Sequence, residues 1–341
     1  MAPVPPELVP VTPVSDGVPA HALPSAAAAS APPPPPSRVY PRRHPWRWAT
    51  AVLALLALAW VVRSVAVNPR FQWGIVSRYF GSAGVLDGLG LTVWLTLLVT
   101  ALSLVLGTVL AAARLSPNPV LRTLAWGYVW IFRSTPLLVQ LLLWYNIGLL
   151  YPTLSLGVPF GPAFVSVRTV DLLGGTATAV IGLTLHEAAF AAEIVRGGIL
   201  SVDAGQSEAA GALGLGRRRT LLRIVLPQAM RTIVPAAGNM LIGTLKGTSI
   251  VSVLAVVDLL YSVEIVYNRT YQVIPLLLVA TLWYVAVTSV LTAGQYYVER
   301  YYARGSQREL PPTPPQRARA LLRAAAAAAS SAAASARGAA R

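Results

Sequence analysis

The sequence predicts an all-α protein, a polytopic membrane helical bundle. Three observations predict it. Of 341 residues, 55% are hydrophobic and 11% charged, where a soluble domain carries about 25% charged residues. Six apolar segments lie near 48–67, 88–113, 120–151, 176–195, 232–257 and 273–298, and about 20 predominantly apolar residues span a bilayer as a helix. Basic residues gather in alternate connections between them, the pattern of the positive-inside rule.

The N-terminal residues 1–47 are rich in Pro and Ala, with prolines throughout 32–36. They bury too little apolar surface to offset their ordering entropy and are expected to be disordered. No short basic start leads into an apolar core, so no signal peptide is expected. Segment 48–67 reads as a single extra N-terminal span, and 88–113, 176–195, 232–257 and 273–298 likewise read as single helices. The third segment, 120–151, would measure about 48 Å as one helix against a hydrocarbon core of about 30 Å. It contains Arg133 and Pro136. A short interfacial helix, a bend at Arg133-Ser134-Thr135-Pro136 and then a true span are expected. In 232–257, Lys246 interrupts the apolar run, and Gly243 and Gly247 permit an unwound turn whose backbone lines a cavity. Residues 301–341 are again of low complexity and expected to be disordered.

With the N-terminus inside, 20 of the 27 basic residues fall on one face of the membrane. The other face holds Arg70, Arg78, Arg168 and Arg269, and Arg63, Arg133 and Lys246 lie within segments. Both termini and the basic connection 196–231 are therefore expected on the cytoplasmic side of a cell membrane. Composition also excludes. Without cysteine there is neither a disulfide framework nor a thiolate metal site. His21, His44 and His186 are too scattered for a metal cluster. The net charge of +15 sits between and beyond the spans, with no aromatic-interleaved basic face for nucleic acid. The stretch "GNMLIGTLKGTS" has two glycines four residues apart, but Lys246 precedes Gly247 rather than Ser or Thr. It is no phosphate-binding loop, and no cofactor is expected on this chain.

The connection "SVDAGQSEAAGALGLGRRRTLLRIVLP" at 201–227 carries the most specific signal. Asp203 and Gln206 have the spacing of a reciprocal helix cap. Glu208 then lies in the first turns, where a carboxylate suits the positive end of the dipole. Gly211, Gly214 and Gly216 favour a turn. A second helix is expected through "RRRTLLRIVLP", with Arg219 and Arg223 on one face and Leu221, Leu222, Val225 and Leu226 on the other. Pro227 is expected to end or redirect it.

This pattern resembles the cytoplasmic motif of permease subunits in ATP-binding-cassette importers. It comprises Glu208, Ala209 and Ala210, then Gly214, then Ile224, Leu226 and Pro227, with the family's spacing. "YVWIFRSTPLLVQ" at 128–140, "LKGTSIVSVLAV" and "VLDGLGLTVWLT" at 85–96 are similar to the polar amino-acid branch, and the likeness covers about 70–300. The resemblance implies a type I importer permease core of five spans at 85–300, beside the extra first span. It implies that 201–227 forms a coupling helix seated in a separate ATPase subunit, which would use ATP and Mg. It further implies an extracytoplasmic amino-acid-binding protein and a second permease subunit, identical or different. No reaction is catalysed by the chain itself on this reading.

Polar residues within spans are costly and are candidates for the substrate path. Arg133 would attract a carboxylate through paired hydrogen bonds, or snorkel to the inner headgroups with Thr135 and Pro136 shaping the bend. His186 and Glu187 lie near mid-span, Glu187 about 16 Å along its helix. Glu187 would meet a substrate ammonium, or form a structural pair with Lys246 or Arg133. Glu193 suits a local ion pair with Arg196. Lys246, Thr248 and Ser249 complete the candidates, with Asn239 and Asn146 as weaker ones. The expected function is ATP-driven import of polar amino acids. The alternative is a secondary transporter driven by an ion gradient, which Glu187 and Lys246 would serve.

Overall fold

The computed structural model describes residues 45–157 and 163–302, with Gln316, Arg319, Ala320 and Arg323 beyond them. The expectations for the two tails fall outside the described residues, apart from positions 45–47 and 301–302, which are helical rather than disordered, and these last few. The chain divides into two compact units, 1–65 and 66–341. The first contributes all but the last two residues of α1 (Pro45–Val67), whose apolar side chains, Leu53, Leu56 and Trp60 among them, are exposed. Its stretch Ala49–Val67 is long and apolar enough to cross a membrane.

The second unit begins with a 3₁₀ turn at Pro69–Phe71, where the Asn68 side chain accepts a hydrogen bond from Arg70 N. Then come α2 (Trp73–Phe80), α3 (Ala83–Arg114), α4 (Pro119–Ser134), α5 (Leu137–Tyr145) and α6 (Ile147–Leu150). Strands β1 (Thr153–Gly157) and β2 (Ala163–Arg168) form an antiparallel hairpin with Leu154 opposite Val167 and Ser155 opposite Ser166. Helices α7 (Thr169–Leu172), α8 (Gly175–Leu200), α9 (Ala204–Ala212) and α10 (Arg217–Thr220) come next. A π-helical turn at Leu221–Val225 leads directly into α11 (Leu226–Gly247), and a 3₁₀ stretch, Thr248–Leu254, precedes α12 (Leu259–Thr270) and α13 (Val273–Tyr302).

The bundle is organised on the pairing of α3 with α8, and small residues make that pairing close. On α3, Thr92, Thr96, Thr100, Ser103 and Gly107 recur at helical spacing and are all buried. On α8, Gly182, Ala188, Ala189, Ala191, Ala192 and Gly198 are buried. A Cβ at Gly107 would lie 2.8 Å from the backbone nitrogen of Ala192. Helices without bulky side chains approach closely enough for dispersion contacts between backbones, which substitute in lipid for the hydrophobic effect. Larger side chains fill the ends. Leu95, Val99, Leu141, Leu183, Val251 and Leu254 join α3, α5, α8 and the 3₁₀ stretch. Val76, Val85, Leu259, Val263, Leu276 and Val279 join α2, α3, α12 and α13.

Among the described residues, four helices are long and apolar enough to span a membrane, five if the bent run from Arg217 to Thr270 counts as one. The bend at Thr135-Pro136 is where expected. However, α5 holds only nine residues and ends at Asn146, whose side-chain amide bonds Leu142 O at 2.8 Å. Neither half of 120–151 reaches span length alone. The paired strands β1 and β2 are, among the described residues, a departure from a helical fold, made by the alternation in "TLSLG" and "AFVSVR". The fifth segment also differs. Helix α11 runs unbroken through Gly243 and Lys246, and narrows to the 3₁₀ form only at Thr248. It stops at Ala255, held left-handed at φ 55°.

Candidate functional site

The connection 201–227 is built from the ends inward. Asp203 Oδ1 accepts a hydrogen bond from Gly205 N at 2.7 Å, capping α9. The reciprocal bond expected from Gln206 is not made, because its side-chain oxygen faces the Gln228 amide at 3.5 Å. At the far end, Leu215 N donates to Ala210 O (3.0 Å) and Gly214 N to Gly211 O (2.9 Å). This is a Schellman closure, and it places Gly214 at φ +75°, a conformation that favours glycine. Glu208 and Ala209 face outward while Ala210 is buried, so the Glu-Ala-Ala stretch is anchored by one methyl and presents the other two residues. A cavity of about 630 Å³, lined by Glu208, Gly211, Leu215 and Thr220 among others, lies between α9, the end of α8 and the helical turns at 217–225.

The second half departs from expectation in two ways. Leu221 and Leu222 are exposed, and only Val225 is buried, with Ile224 and Leu226 half-buried. Pro227 does not end a helix. It lies at the start of α11, and because helical turns precede it without a break, its missing N–H leaves the ladder one bond short there. The basic turn therefore runs through the π-helical stretch straight into a spanning segment.

The polar residues of the bundle form two groups. At the α4–α5 bend, the Gln140 amide nitrogen donates to Phe132 O (2.9 Å), Thr135 O (3.0 Å) and Thr135 Oγ1. The Gln140 amide oxygen accepts from His186 Nδ1 at 3.2 Å. One buried amide thus satisfies the carbonyls freed by Pro136 and ties the bend to α8. Nearby, the Arg133 guanidinium lies 5.4 Å from the Phe190 ring centroid, a cation–π geometry. Glu187 makes no ion pair among the described residues, so the expected pairing with Lys246 or Arg133 is not formed.

The second group surrounds the 3₁₀ stretch. Asp258, fully buried, caps α12 by accepting from Tyr261 N at 2.9 Å and faces Tyr284 Oη at 3.4 Å. Thr92 Oγ1 accepts from Leu259 N at 2.9 Å. Thr248 is buried and bonds Leu245 O, Ser249 bonds Lys246 O, and the Lys246 and Asn239 side chains are exposed. Thr248 and Ser249 thus serve the helix's own backbone.

Glu193 pairs with Arg196 at 2.8 Å, as its spacing suggested, and also with Arg114 at the end of α3. That second partner has no sequence signal, being 79 residues away. Gln140 had one, as a lone amide in an apolar run.

Residues 103–304 match the family of binding-protein-dependent transport system inner membrane components. An arginine transport system permease protein, ArgU of Corynebacterium glutamicum, is 43% identical over 273 residues, covering 79% of this chain and 84% of the relative. A probable glutamine ABC transporter permease protein, GlnM of Bacillus subtilis, is 32% identical over 215 residues, covering 63% and 91%. A crystal structure of an amino acid ABC transporter with histidines superposes with a TM-score of 0.55 at 31% identity, over 64% of this chain and 94% of that one.

Proposed function

Since the chain belongs to the family of binding-protein-dependent transport system inner membrane components, we propose that it forms the membrane path of an ATP-driven importer for polar amino acids. The observation that carries this reading is the connection 201–227, in which an outward-facing Glu208 and Ala209 sit on a short helix closed by Gly214. Such a helix fits a groove on an ATPase subunit. The ATPase would bind ATP and Mg, and its closure would displace α9 and, through the continuous turn at 217–225, α11. An extracytoplasmic binding protein would deliver substrate to a pair of permease subunits, with both termini of this chain in the cytoplasm. Arg133, Thr135, His186, Glu187, Asn239, Lys246, Thr248 and Ser249 are proposed along the path. Among substrates, a basic amino acid is favoured by the 43% identity to an arginine permease and by Glu187, a carboxylate without an ion pair among the described residues.

The test is co-purification and uptake. The full chain, wild type beside Glu208→Lys, is expressed with its ATPase, and labelled arginine, glutamine and glutamate are offered to the cells. The wild type retains the ATPase and supports uptake, with arginine preferred. Glu208→Lys reaches the membrane in equal amount but loses both. Uptake surviving in Glu208→Lys sinks the coupling assignment, and a preference for glutamate sinks the substrate class alone.

A further inference from the structure

Three arginines from three separate elements line one cavity of about 290 Å³: Arg114 at the end of α3, Arg122 in the first turn of α4, and Arg196 near the end of α8. Leu115, Thr123 and Trp126 complete the lining. Arg114 and Arg196 share a single carboxylate, Glu193, and Arg122 makes no ion pair among the described residues. The cavity therefore holds an excess of positive charge. Its outer wall is α4, whose Leu121, Leu124, Trp126, Trp130 and Ile131 are exposed. Trp126 and Trp130 stack with ring centroids 6.1 Å apart. Indole rings concentrate at membrane interfaces, where an apolar body meets a polar edge.

We propose that this cavity binds the phosphate of an anionic phospholipid, with the acyl chains lying along the exposed face of α4. The orientation proposed above puts the site on the inner leaflet, where anionic headgroups meet basic residues. A free phosphate would use the arginines but leave the apolar wall without a purpose, whereas a lipid uses both. Occupancy would bridge α3, α4 and α8 just before the connection 201–227. The lipid would thereby brace the base of that connection.

The chain has no cysteine, so Leu124→Cys accepts a fluorophore at one place beside the cavity. The labelled full chain is reconstituted in phosphatidylcholine bilayers containing tail-brominated phosphatidylglycerol or, at equal fraction, tail-brominated phosphatidylcholine. Quenching by the anionic lipid is expected to exceed that by the zwitterionic one. Arg122→Gln weakens the preference about fivefold, the effect of one cation near an anionic surface. Arg122→Lys retains most of it, and Arg219→Gln, in the connection, leaves it unchanged. Equal quenching by both lipids overturns the proposal, as it would if another protein surface covered the cavity. An equal loss in Arg219→Gln overturns it in favour of diffuse attraction. Abolition by added inorganic phosphate assigns the cavity to a free anion and overturns the lipid. None of these readouts requires transport.

Discussion

Gly214 offers a substitution whose effect is separable into backbone and contact. It closes α9 at φ +75°, and nothing lies within 4 Å of where a Cβ would stand. Within the chain, then, a methyl group meets no obstacle, and the whole cost of Gly214→Ala is the left-handed conformation, about 1–2 kcal/mol for an L-residue. Gly214→Val adds β-branching and belongs at the upper end. Asn tolerates this region and should cost a few tenths of that. A shift of about 1–2 kcal/mol changes the ratio of closed to open loop by about 5- to 30-fold. Hydrogen exchange of the amides of Gly214 and Leu215, which the closure protects, should accelerate by that factor in Ala and Val and little in Asn. Uptake should fall in the same order while membrane abundance stays constant. If Asn slows uptake as much as Val, conformation is not the reason for glycine here. The surface at Gly214 would then be in close contact with the partner, and the conformational account would be refuted.

Three further outcomes are expected. Gly107→Ala forces a Cβ against Ala191 and Ala192 and should lower stability by about 1–3 kcal/mol, read as a lower Tm in detergent; Gly90→Ala, with open space around it, should not. Gln140→Leu strips the Phe132 and Thr135 carbonyls and His186 of their shared partner, costing about 1–3 kcal/mol, and an unchanged Tm would show that the bend does not depend on that amide. Glu187→Gln should lower the preference for arginine over glutamine in competitive uptake, and unchanged selectivity would return Glu187 to a structural role.

Local chemistry explains why some of this architecture is legible in the sequence and some is not. The spans α1, α3, α8 and α13 announce themselves by length and apolarity, which depend on neighbouring residues alone. The Thr135-Pro136 bend and the Gly214 closure are legible because Pro and Gly restrict or permit the backbone wherever they stand. The shape of the basic turn is not. Its leucines suggest a second helix with a buried face, yet Leu221 and Leu222 are exposed and the helix continues into α11. Where a helix goes after Pro227 depends on the packing of Ala229 and Ile233 against Ala111 and Val195, a tertiary fact. Long-range pairings are equally hidden. Arg114 finds Glu193 and Thr92 finds Leu259 only because α3 traverses the whole bundle. Gln140 stands within the 128–140 motif, and the cost of an amide in an apolar run is signal enough to single it out.

The π-helical turn at Leu221–Val225 closes through a bond from Leu226 N to Leu221 O, one residue wider than an α turn. Each residue of an α-helix advances the side chains by about 100°, so a single extra residue resets the angular phase between the turns on either side of it. The arginine turn at 217–220 and the inward face of α11 are thus set to different azimuths on one rod. Removing Leu222 would leave Glu208, Ala209, Ala210, Gly214, Ile224, Leu226 and Pro227 all present and the span intact. The arginine turn would then be aimed about 100° away from its present direction relative to α11.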